Sequence, residues 1–466
     1  MSDQPNLLLL YVDQMRFDAL GCQGNPDVLT PNLDALAARG TRFTRHFVQN
    51  PVCMPSRVSM LTGRYPSNLG LTEMAVPVPE DTETVATRLA AAGYRTANIG
   101  KLHFQPHSNR DHREAHPSYG FDHLEVSDEP GPYDDAYRAF VRRVAPEHLD
   151  TISSQVDPPM ARSWREAIGF EDGIPHPEDW DPWATAPAAV PDGLTHTAFV
   201  GRRTIDFLRQ QPAGGQRFFC VSGIYSPHSP LVAPQRFLDL YDPASLTPLP
   251  RPPGEADPPD PAFLRQAMFG YYAVVSEVDF WVGEILAALE DAGHAGDTVV
   301  AFTSDHGEFL GDFGRWGKAF PGPDCVSRVP LLVAAPGGNP GVCDALVEAV
   351  DLVPTLLELA GVVPPPTLDG RSLRPALSDA AGFAGRSEVL MEGSLRKPAW
   401  RSIRTETHRY VLDAEGAEEL YDLEVSFGEH ENVAAEADPG LLSGLRHRLA
   451  TRMISSFRGE PRVWPY

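Results

Sequence analysis

The sequence predicts an α/β fold, a large mostly parallel sheet flanked by helices, with a small α+β subdomain toward the C-terminal end. Short continuous apolar runs, such as residues 6–12 and 298–303, have the length and composition of strands buried on both faces. Polar residues follow these runs, Asp13-Gln14 and Asp305-His306 among them, and segments of helical periodicity separate one run from the next. Such alternation of strand, polar residues and helix is the rhythm of βαβ units, whose strand C-termini line one ligand site. No fixed-period repeat competes with it.

Taken in order, residues 6–12 form the first strand. Thr30 and Pro31 open a helix as N-cap and first helical residue, and Gly40 closes it. An alternating piece over 41–48 returns the chain toward Cys53, and 55–61 has the look of a helix start, which puts Cys53 near the positive end of a macrodipole. A helix over 84–92, stopped by Gly93, leads into a strand over 96–99 and then to Lys101 and His103. A helix over 194–210 precedes a strand over 218–221, with His228 beyond it in Ser226-Pro227-His228-Ser229-Pro230. The long helix 261–289, apolar at Val274, Val278, Trp281, Val282 and Ile285, precedes the strand 298–303. Two stretches break the rhythm, 104–193 and the proline-dense 242–261, and both are expected to be lids or specificity loops. From about 371 the pattern changes to short strands over 400–405, 409–412 and 419–423 and a helix near 441–457. The expected domains are 1–370, with a variable insertion at about 104–193, and 371–466.

At 466 residues and 42% hydrophobic content the chain can bury a large core. Its formal charge of -24, with no basic block against 63 acidic residues, excludes nucleic acid and anionic membrane as partners. The apolar run over 7–12 is too short to span a bilayer and lacks the flanks of a secretory leader, so a cytoplasmic location is expected. Cys22, Cys53, Cys220, Cys325 and Cys343 are scattered without C-x-x-C spacing, which indicates neither a disulfide framework nor a zinc site. Of 39 basic residues only Lys101, Lys318 and Lys397 are lysine. The first two sit in Gly100-Lys101-Leu102-His103 and Trp316-Gly317-Lys318, as expected where a site needs a compact ammonium and not a guanidinium fork. A homo-oligomer is left open.

The segment Cys53-Met54-Pro55-Ser56-Arg57 resembles the C-x-P-S-R mark by which type I sulfatases, members of the alkaline phosphatase superfamily, have a cysteine oxidised to formylglycine. The resemblance extends, in the family's order, to Asp13, to Gly100-Lys101-Leu102-His103, to Pro227-His228-x-Pro230, and to Ser304-Asp305-His306-Gly307 with Trp316-Gly317-Lys318. Glu419-Leu420-Tyr421-Asp422-Leu423 carries it to about residue 433. It implies an alkaline-phosphatase-like fold and hydrolysis of a small-molecule sulfate monoester, once a formylglycine-generating enzyme has acted on the C-x-P-S-R segment. A hydrated aldehyde carries two hydroxyls on one carbon, so one attacks the sulfate ester and the other later expels the bound sulfate.

By the same resemblance Asp13, Gln14, Asp305 and His306 form a divalent metal site completed by an oxygen of the modified Cys53. Many family members carry aspartate at the position of Gln14 and asparagine at that of His306. Exchanging a carboxylate for an imidazole moves a hard oxygen site toward Mn²⁺, which leaves Ca²⁺ or Mn²⁺ ahead of Mg²⁺. Arg57 holds the formylglycine, and Lys101 and Lys318 neutralise the sulfuryl oxygens. His228 protonates the departing alcohol, with Lys318 its rival, and His103 removes the proton from the spare hydroxyl. His107, His112, His116, His123 and His196 are expected to be solvated, and Trp164, Trp180 and Trp183 to be half-buried loop anchors. One alternative is a phosphonate monoester hydrolase or phosphodiesterase of the same superfamily, since those relatives share formylglycine and an Asp-Gln, Asp-His type of metal site. The other is a silent metal-binding homologue whose Cys53 stays a thiol. Gly-Lys-Leu-His is the sulfatase form of its segment and favours the first reading.

Overall fold

The computed structural model describes residues 4–106, 112, 114–153, 174, 181–252, 260–395 and 398–456. The expectations for His107, Trp164, Trp180 and Lys397 lie outside the described residues. Eight strands form the main sheet in the order Gly341–Cys343, Thr41–Phe43, Leu331–Ala334, Thr298–Ser304, Asn6–Asp13, Phe218–Pro227, Arg95–Gly100 and His123–Val126. Leu331–Ala334 is antiparallel to both of its neighbours, and the other pairings are parallel.

All eight residues of Asn6–Asp13 are buried because each face of the sheet carries its own layer of helices. Leu8, Leu10 and Val12 point into a core with Leu33, Phe199, Val278 and Val282, from the helices Pro31–Arg39, His196–Arg209 and Pro261–Asp291. Leu7, Leu9 and Tyr11 point the opposite way, into a core with Val58, Leu89 and Leu356, from Cys53–Thr62, Val85–Ala91 and Leu352–Leu359. The two-residue period of a strand thus divides one apolar run between two layers, each buried side chain contributing about 1.5–3 kcal/mol. An α/β sandwich with helices on both faces is therefore the observed fold.

Several elements depart from their expected form. Thr30 does not cap its helix with its side chain, because Oγ1 accepts from the Gly21 amide at 2.9 Å and donates to Asp34 Oδ1 at 3.1 Å. Thr84 does cap, in a reciprocal box with Thr87. The strand expected to end at 221 runs on to Pro227 and delivers Tyr225 as well as His228. The stretch 104–193 holds the edge strand His123–Val126 of the main sheet and the helix Ala136–Val144, so it is no irregular insertion throughout. That strand has only four residues, all half-buried, with His123 and Glu125 paired to each other, which erases the apolar signature of a strand. His112 and His196 are buried, against the solvated role expected of them. His112 stacks on Tyr133 with centroids 3.8 Å apart, and Trp183 anchors its loop on Trp316 at 5.1 Å.

Beyond residue 388 the chain forms an antiparallel sheet of Val389–Gly393, Trp400–Arg404, His408–Asp413 and Glu418–Asp422 in sequence order. Helix Pro439–Ser456 lays Leu445 and Leu449 on Leu390, Ile403, Tyr410 and Leu420. Among the described residues no helix is long and apolar enough to cross a membrane.

Two glycines set the spacing at the ligand end of the sheet. Gly100, at φ +88°, would bring a Cβ to 2.2 Å from the Gly223 carbonyl oxygen, and a Cβ on Gly223 would lie 2.1 Å from that of Lys101. Their closeness lets the Lys101 amide donate to Gly223 O at 2.7 Å. Backbone atoms cannot swing aside as a side-chain end can. Gly223→Ala should therefore lower unfolding stability by about 3 kcal/mol, at the upper end of overpacking costs, with a matching fall in the thermal midpoint. Equilibrium denaturation of both proteins measures this, and coincident curves would show that the strands have slack.

Candidate active site and metal centre

Strand C-termini and one helix N-terminus converge on a single point. Asn6–Asp13 ends in Asp13, Thr298–Ser304 is followed by Asp305 and His306, and Cys53 is the first residue of its helix. A register shift between Val12 and Asp13 pairs Asp13 with Pro227 across the sheet, which re-aims its carboxylate as a bulge does. Asp13, Cys53, Asp305 and His306 each present a ligand atom, all within 4.8 Å of one another and all from buried residues. Cys53 Sγ lies 3.1 Å from His306 Nε2, 3.6 and 3.8 Å from the two Asp13 oxygens, and 2.6 Å from Lys318 Nζ.

The tautomer of His306 follows from its partners. Nδ1 is 2.8 Å from the Gly307 carbonyl oxygen, which can only accept, so Nδ1 carries the proton. Nε2 is left bare and faces Asp13 Oδ1 at 3.3 Å and Asp305 Oδ1 at 3.7 Å. Burial lowers the pKa of this imidazole, outweighing Asp305, and keeps it neutral. A bare nitrogen between two carboxylates is a donor set for a divalent cation.

Burial would raise the Asp13 carboxyl, but the Lys101 ammonium overrides that and holds it well below the usual range. Lys101 Nζ sits 2.5 Å from Asp13 Oδ2 and 4.8 Å from the Tyr225 ring centroid. Burial works against the Lys101 charge and Asp13 restores it, so its pKa ends above the ordinary value. The Cys53 thiol is pushed up to about 11 by burial and by Asp13.

Arg57 is wholly buried and acts as a bracket. Nε donates to Asp305 Oδ2 at 2.7 Å, Nη1 to Lys101 O at 3.0 Å and Nη2 to Val12 O at 3.4 Å, with the guanidinium 4.4 Å from the Tyr11 ring centroid. These bonds run to the elements around Cys53 and leave its thiol untouched.

Gln14, at φ +66°, turns its amide oxygen to Lys318 Nζ at 3.3 Å, while its backbone N–H donates to Asp305 Oδ1 at 3.0 Å. Its side-chain nitrogen donates to Glu308, a residue the sequence reading missed. Glu308 Oε1 also accepts from Leu310 N at 2.9 Å and Gly317 N at 2.5 Å, and burial raises its carboxyl to about 7. It therefore ties the metal-type donors to the loop that carries Lys318. Its place three residues past Asp305, directly after the Ser304–Gly307 segment, was the signal available. Asp128 was missed as well: its Oδ1 accepts from Leu102 N at 2.9 Å and His103 N at 2.8 Å, holding His103 at φ +56°. Nothing local marks it, since it lies 25 residues from His103 in the stretch taken for a loop.

His228 is joined to the cluster through Lys318. Its Nε2 is 2.9 Å from Lys318 Nζ, and its Nδ1 is 2.8 Å from Ser229 O and 2.7 Å from Tyr225 Oη. An ammonium only donates, so Nε2 is the acceptor and Nδ1 holds the proton. Burial, then Lys318, keeps the His228 pKa well below its ordinary value. Asp13, Gln14, Cys53, Lys101, His228, Asp305, His306 and Lys318 are thus linked by direct contacts, with Arg57 beneath them and His103 placed by its backbone.

The sequence model of the family described as Sulfatase matches residues 5–362, and that described as N-sulphoglucosamine sulphohydrolase, C-terminal, matches residues 311–455. The chain is 30% identical over 445 residues to an arylsulfatase of Clostridium perfringens (strain 13 / Type A), covering 90% of this chain and 88% of that protein. It is 30% identical over 458 residues to a choline-sulfatase of Rhizobium meliloti (strain 1021), covering 92% and 82%. Its structure is similar to that of the phosphonate monoester hydrolase of Agrobacterium radiobacter, with a TM-score of 0.78, 26% identity and coverage of 97% and 96%.

Removing Arg57 would strand a buried carboxylate. Arg57→Met should cost about 3–5 kcal/mol, the range for breaking one side of a buried ion pair. Denaturant unfolding measures it, and a loss below about 1 kcal/mol, the worth of an exposed pair, would mean that the bracket carries little of the fold.

Proposed function

Because the chain belongs to the sulfatase family of the alkaline phosphatase superfamily and is a sulfuric ester hydrolase, we propose that it cleaves a small-molecule sulfate monoester at the cluster around Cys53, with Cys53 converted to formylglycine and one divalent cation bound. The observation that carries this reading is the seat of Cys53: first residue of a buried helix, its sulfur 3.1 Å from His306 Nε2 and 2.6 Å from Lys318 Nζ. A resting thiol with its pKa near 11 is a poor nucleophile at neutral pH, in keeping with a cysteine meant for conversion. A formylglycine-generating enzyme is the partner this requires. We divide the chain into a catalytic part to about residue 370 and a C-terminal subdomain.

Formylglycine at this position would supply a hydrated aldehyde, one hydroxyl for attack on sulfur and one for release of sulfate. Asp13, Gln14 through its Oε1, Asp305 and His306 through its Nε2 would hold the cation, Ca²⁺ or Mn²⁺ ahead of Mg²⁺. Bound there, the cation would supply Lewis-acid polarisation of a sulfuryl oxygen. Lys101 and Lys318 bring two ammonium groups to the face of Cys53, where charge develops on the sulfuryl oxygens. Arg57, donating to Asp305 Oδ2, keeps that carboxylate aimed at the cluster. His228 protonates the departing oxygen, with Lys318, its Nζ 2.9 Å from His228 Nε2, the rival donor at the same place. His103, buried two residues beyond Lys101, takes the proton from the spare hydroxyl. The structural likeness to a phosphonate monoester hydrolase, together with Gln14 and His306, supports phosphonate and phosphate ester hydrolysis as a second activity.

Cys53→Ala should abolish turnover while leaving the unfolding midpoint nearly unchanged, and the mass of the Cys53 peptide from active wild type should be that of the aldehyde or its hydrate. Substantial activity in the alanine variant, or an active enzyme whose Cys53 is wholly thiol, would end the formylglycine mechanism. Matched sulfate, phosphate and phosphonate esters, compared by kcat/KM, rank the two activities.

The lysines offer a second check. Arginine at either position keeps the charge but moves it and crowds the pocket. Lys101→Arg and Lys318→Arg should each lower kcat/KM on an activated aryl sulfate by about two orders of magnitude, the scale of losing a preorganised donor. Rates within threefold of wild type for both would mean that other residues bind the sulfuryl group.

A further inference from the structure

A pocket of about 70 Å³ opens beside the proposed reaction centre, lined by Tyr137, Thr195, His196, Tyr225, His228 and Glu277. At roughly 10–15 Å³ per water it holds about five heavy atoms, a small head group. Its wall includes His228, whose Nε2 faces Lys318 at 2.9 Å, so a group seated here hangs from the oxygen that His228 serves.

Its polar groups are unbalanced. Glu277, from the middle of the helix Pro261–Asp291, is 2% exposed, and its Oε1 accepts from Thr195 Oγ1 at 2.5 Å. Among the described residues no lysine or arginine pairs with it; Arg236, the cation it feels most, pairs with Asp192 at 2.8 Å. Burial raises the Glu277 carboxyl to about 8, the mark of a buried acid that lacks a counter-charge.

His196 makes an independent case. It is 5% exposed, and its Nε2 lies 3.0 Å from Ser127 Oγ, whose own proton goes to Asp135 Oδ2 at 2.7 Å. Nε2 is therefore the donor, and Nδ1 is a bare acceptor with no hydrogen-bond partner among the described residues. Burial holds its pKa near 3, so the ring supplies no positive charge to Glu277. Tyr137 Oη donates to Leu194 O at 2.6 Å and Tyr225 Oη to Ser229 O at 2.7 Å, which leaves these residues to offer ring surface. A buried carboxyl and a bare imidazole nitrogen among aromatic rings make a receptor for a cation that can give hydrogen bonds or pack on rings.

We propose that this pocket binds an ammonium group on the departing alcohol, so that the preferred substrates are zwitterionic sulfate esters of short amino or quaternary-ammonium alcohols. The substrate class rests on the sulfatase reading, while binding of the ammonium alcohol itself does not. Net charge agrees with it, since a protein of formal charge -24 repels a plain sulfate monoester, whereas a zwitterion carries no net charge to be repelled.

The test uses isosteres: 2-(trimethylammonio)ethyl sulfate against 3,3-dimethylbutyl sulfate, which replaces the nitrogen by carbon. Wild type should favour the ammonium ester in kcat/KM by at least about tenfold, and Glu277→Gln should bring that ratio to within threefold of one. Equal rates in wild type, or an undiminished preference in Glu277→Gln, would overturn the proposal. Calorimetric titration of wild type with the two free alcohols needs neither turnover nor a variant. Tenfold tighter binding of the ammonium alcohol, lost in Glu277→Gln, upholds the pocket even if no sulfate ester is cleaved, in which case it is the sulfatase reading that has failed. Equal or undetectable binding of both alcohols to wild type, alongside active hydrolysis of aryl sulfates, rejects the pocket and leaves that reading standing.

Discussion

Two buried ion pairs, Lys101 with Asp13 and Arg57 with Asp305, are the constraint on which the rest of the site depends. Unpaired carboxylates at this depth would take up protons and cease to be metal-type donors. Here both face buried cations, and Lys101 holds Asp13 far below the usual carboxylate range. Neither pair is a cheap way to stabilise a fold, because desolvation offsets most of the attraction. Their value is that each buried carboxylate meets a cation where water cannot reach it. A breach on either side would leave an uncompensated charge buried at the C-terminal ends of the strands.

The scaffold is shaped to close these pairs. The bulge at Asp13 and the close approach of Gly100 and Gly223 bring the carboxylate and the ammonium within bonding distance. Gln14 and His103 occupy left-handed backbone conformations that favour glycine, and each is locked by a bond from elsewhere. Tyr271 donates to the Gln14 carbonyl at 2.8 Å, and Asp128 accepts the His103 amide. The loop bearing Lys318 also contains Phe313, Ala319 and Phe320 at positive φ. It is steadied by Glu308 from within, and from the C-terminal part by Arg409, which donates to Pro321 O, and by His430, stacked 4.1 Å from Phe313. The C-terminal sheet is therefore part of what positions an active-site lysine, although it contributes none of the clustered side chains.

Around this centre the histidines divide by environment. His306 and His228 are both neutral and both protonated at Nδ1, yet the bare Nε2 of one faces carboxylates and that of the other faces an ammonium. The first arrangement suits a cation, and the second suits a proton. A third neutral imidazole, His196, has the opposite tautomer because a serine accepts from its Nε2. Identical chemistry is directed to three tasks by what each ring hydrogen-bonds on its far side.

Without marking the strands Leu331–Ala334 and Gly341–Cys343 or the helix Leu352–Leu359, the sequence by itself determined that a mostly parallel sheet is flanked by helices, the strand ends that carry Asp13 and Asp305, and the short segments around Cys53, Lys101, His228 and Lys318. These are local signals: apolar runs of strand length, helical periodicity, turn residues and fixed spacings survive in one dimension. Tertiary structure alone decided the partners. Arg57 belongs to Asp305, 248 residues away, and Gln14 to Glu308, 294 residues away, pairings that no periodicity records. It also decided that the half-polar His123–Val126 joins the main sheet and that His196 is buried, since both depend on what packs against a polar residue and not on the residue itself. Polar side chains carry no pattern that says whether water or protein will satisfy them, so burial and pairing are settled only when the chain closes on itself.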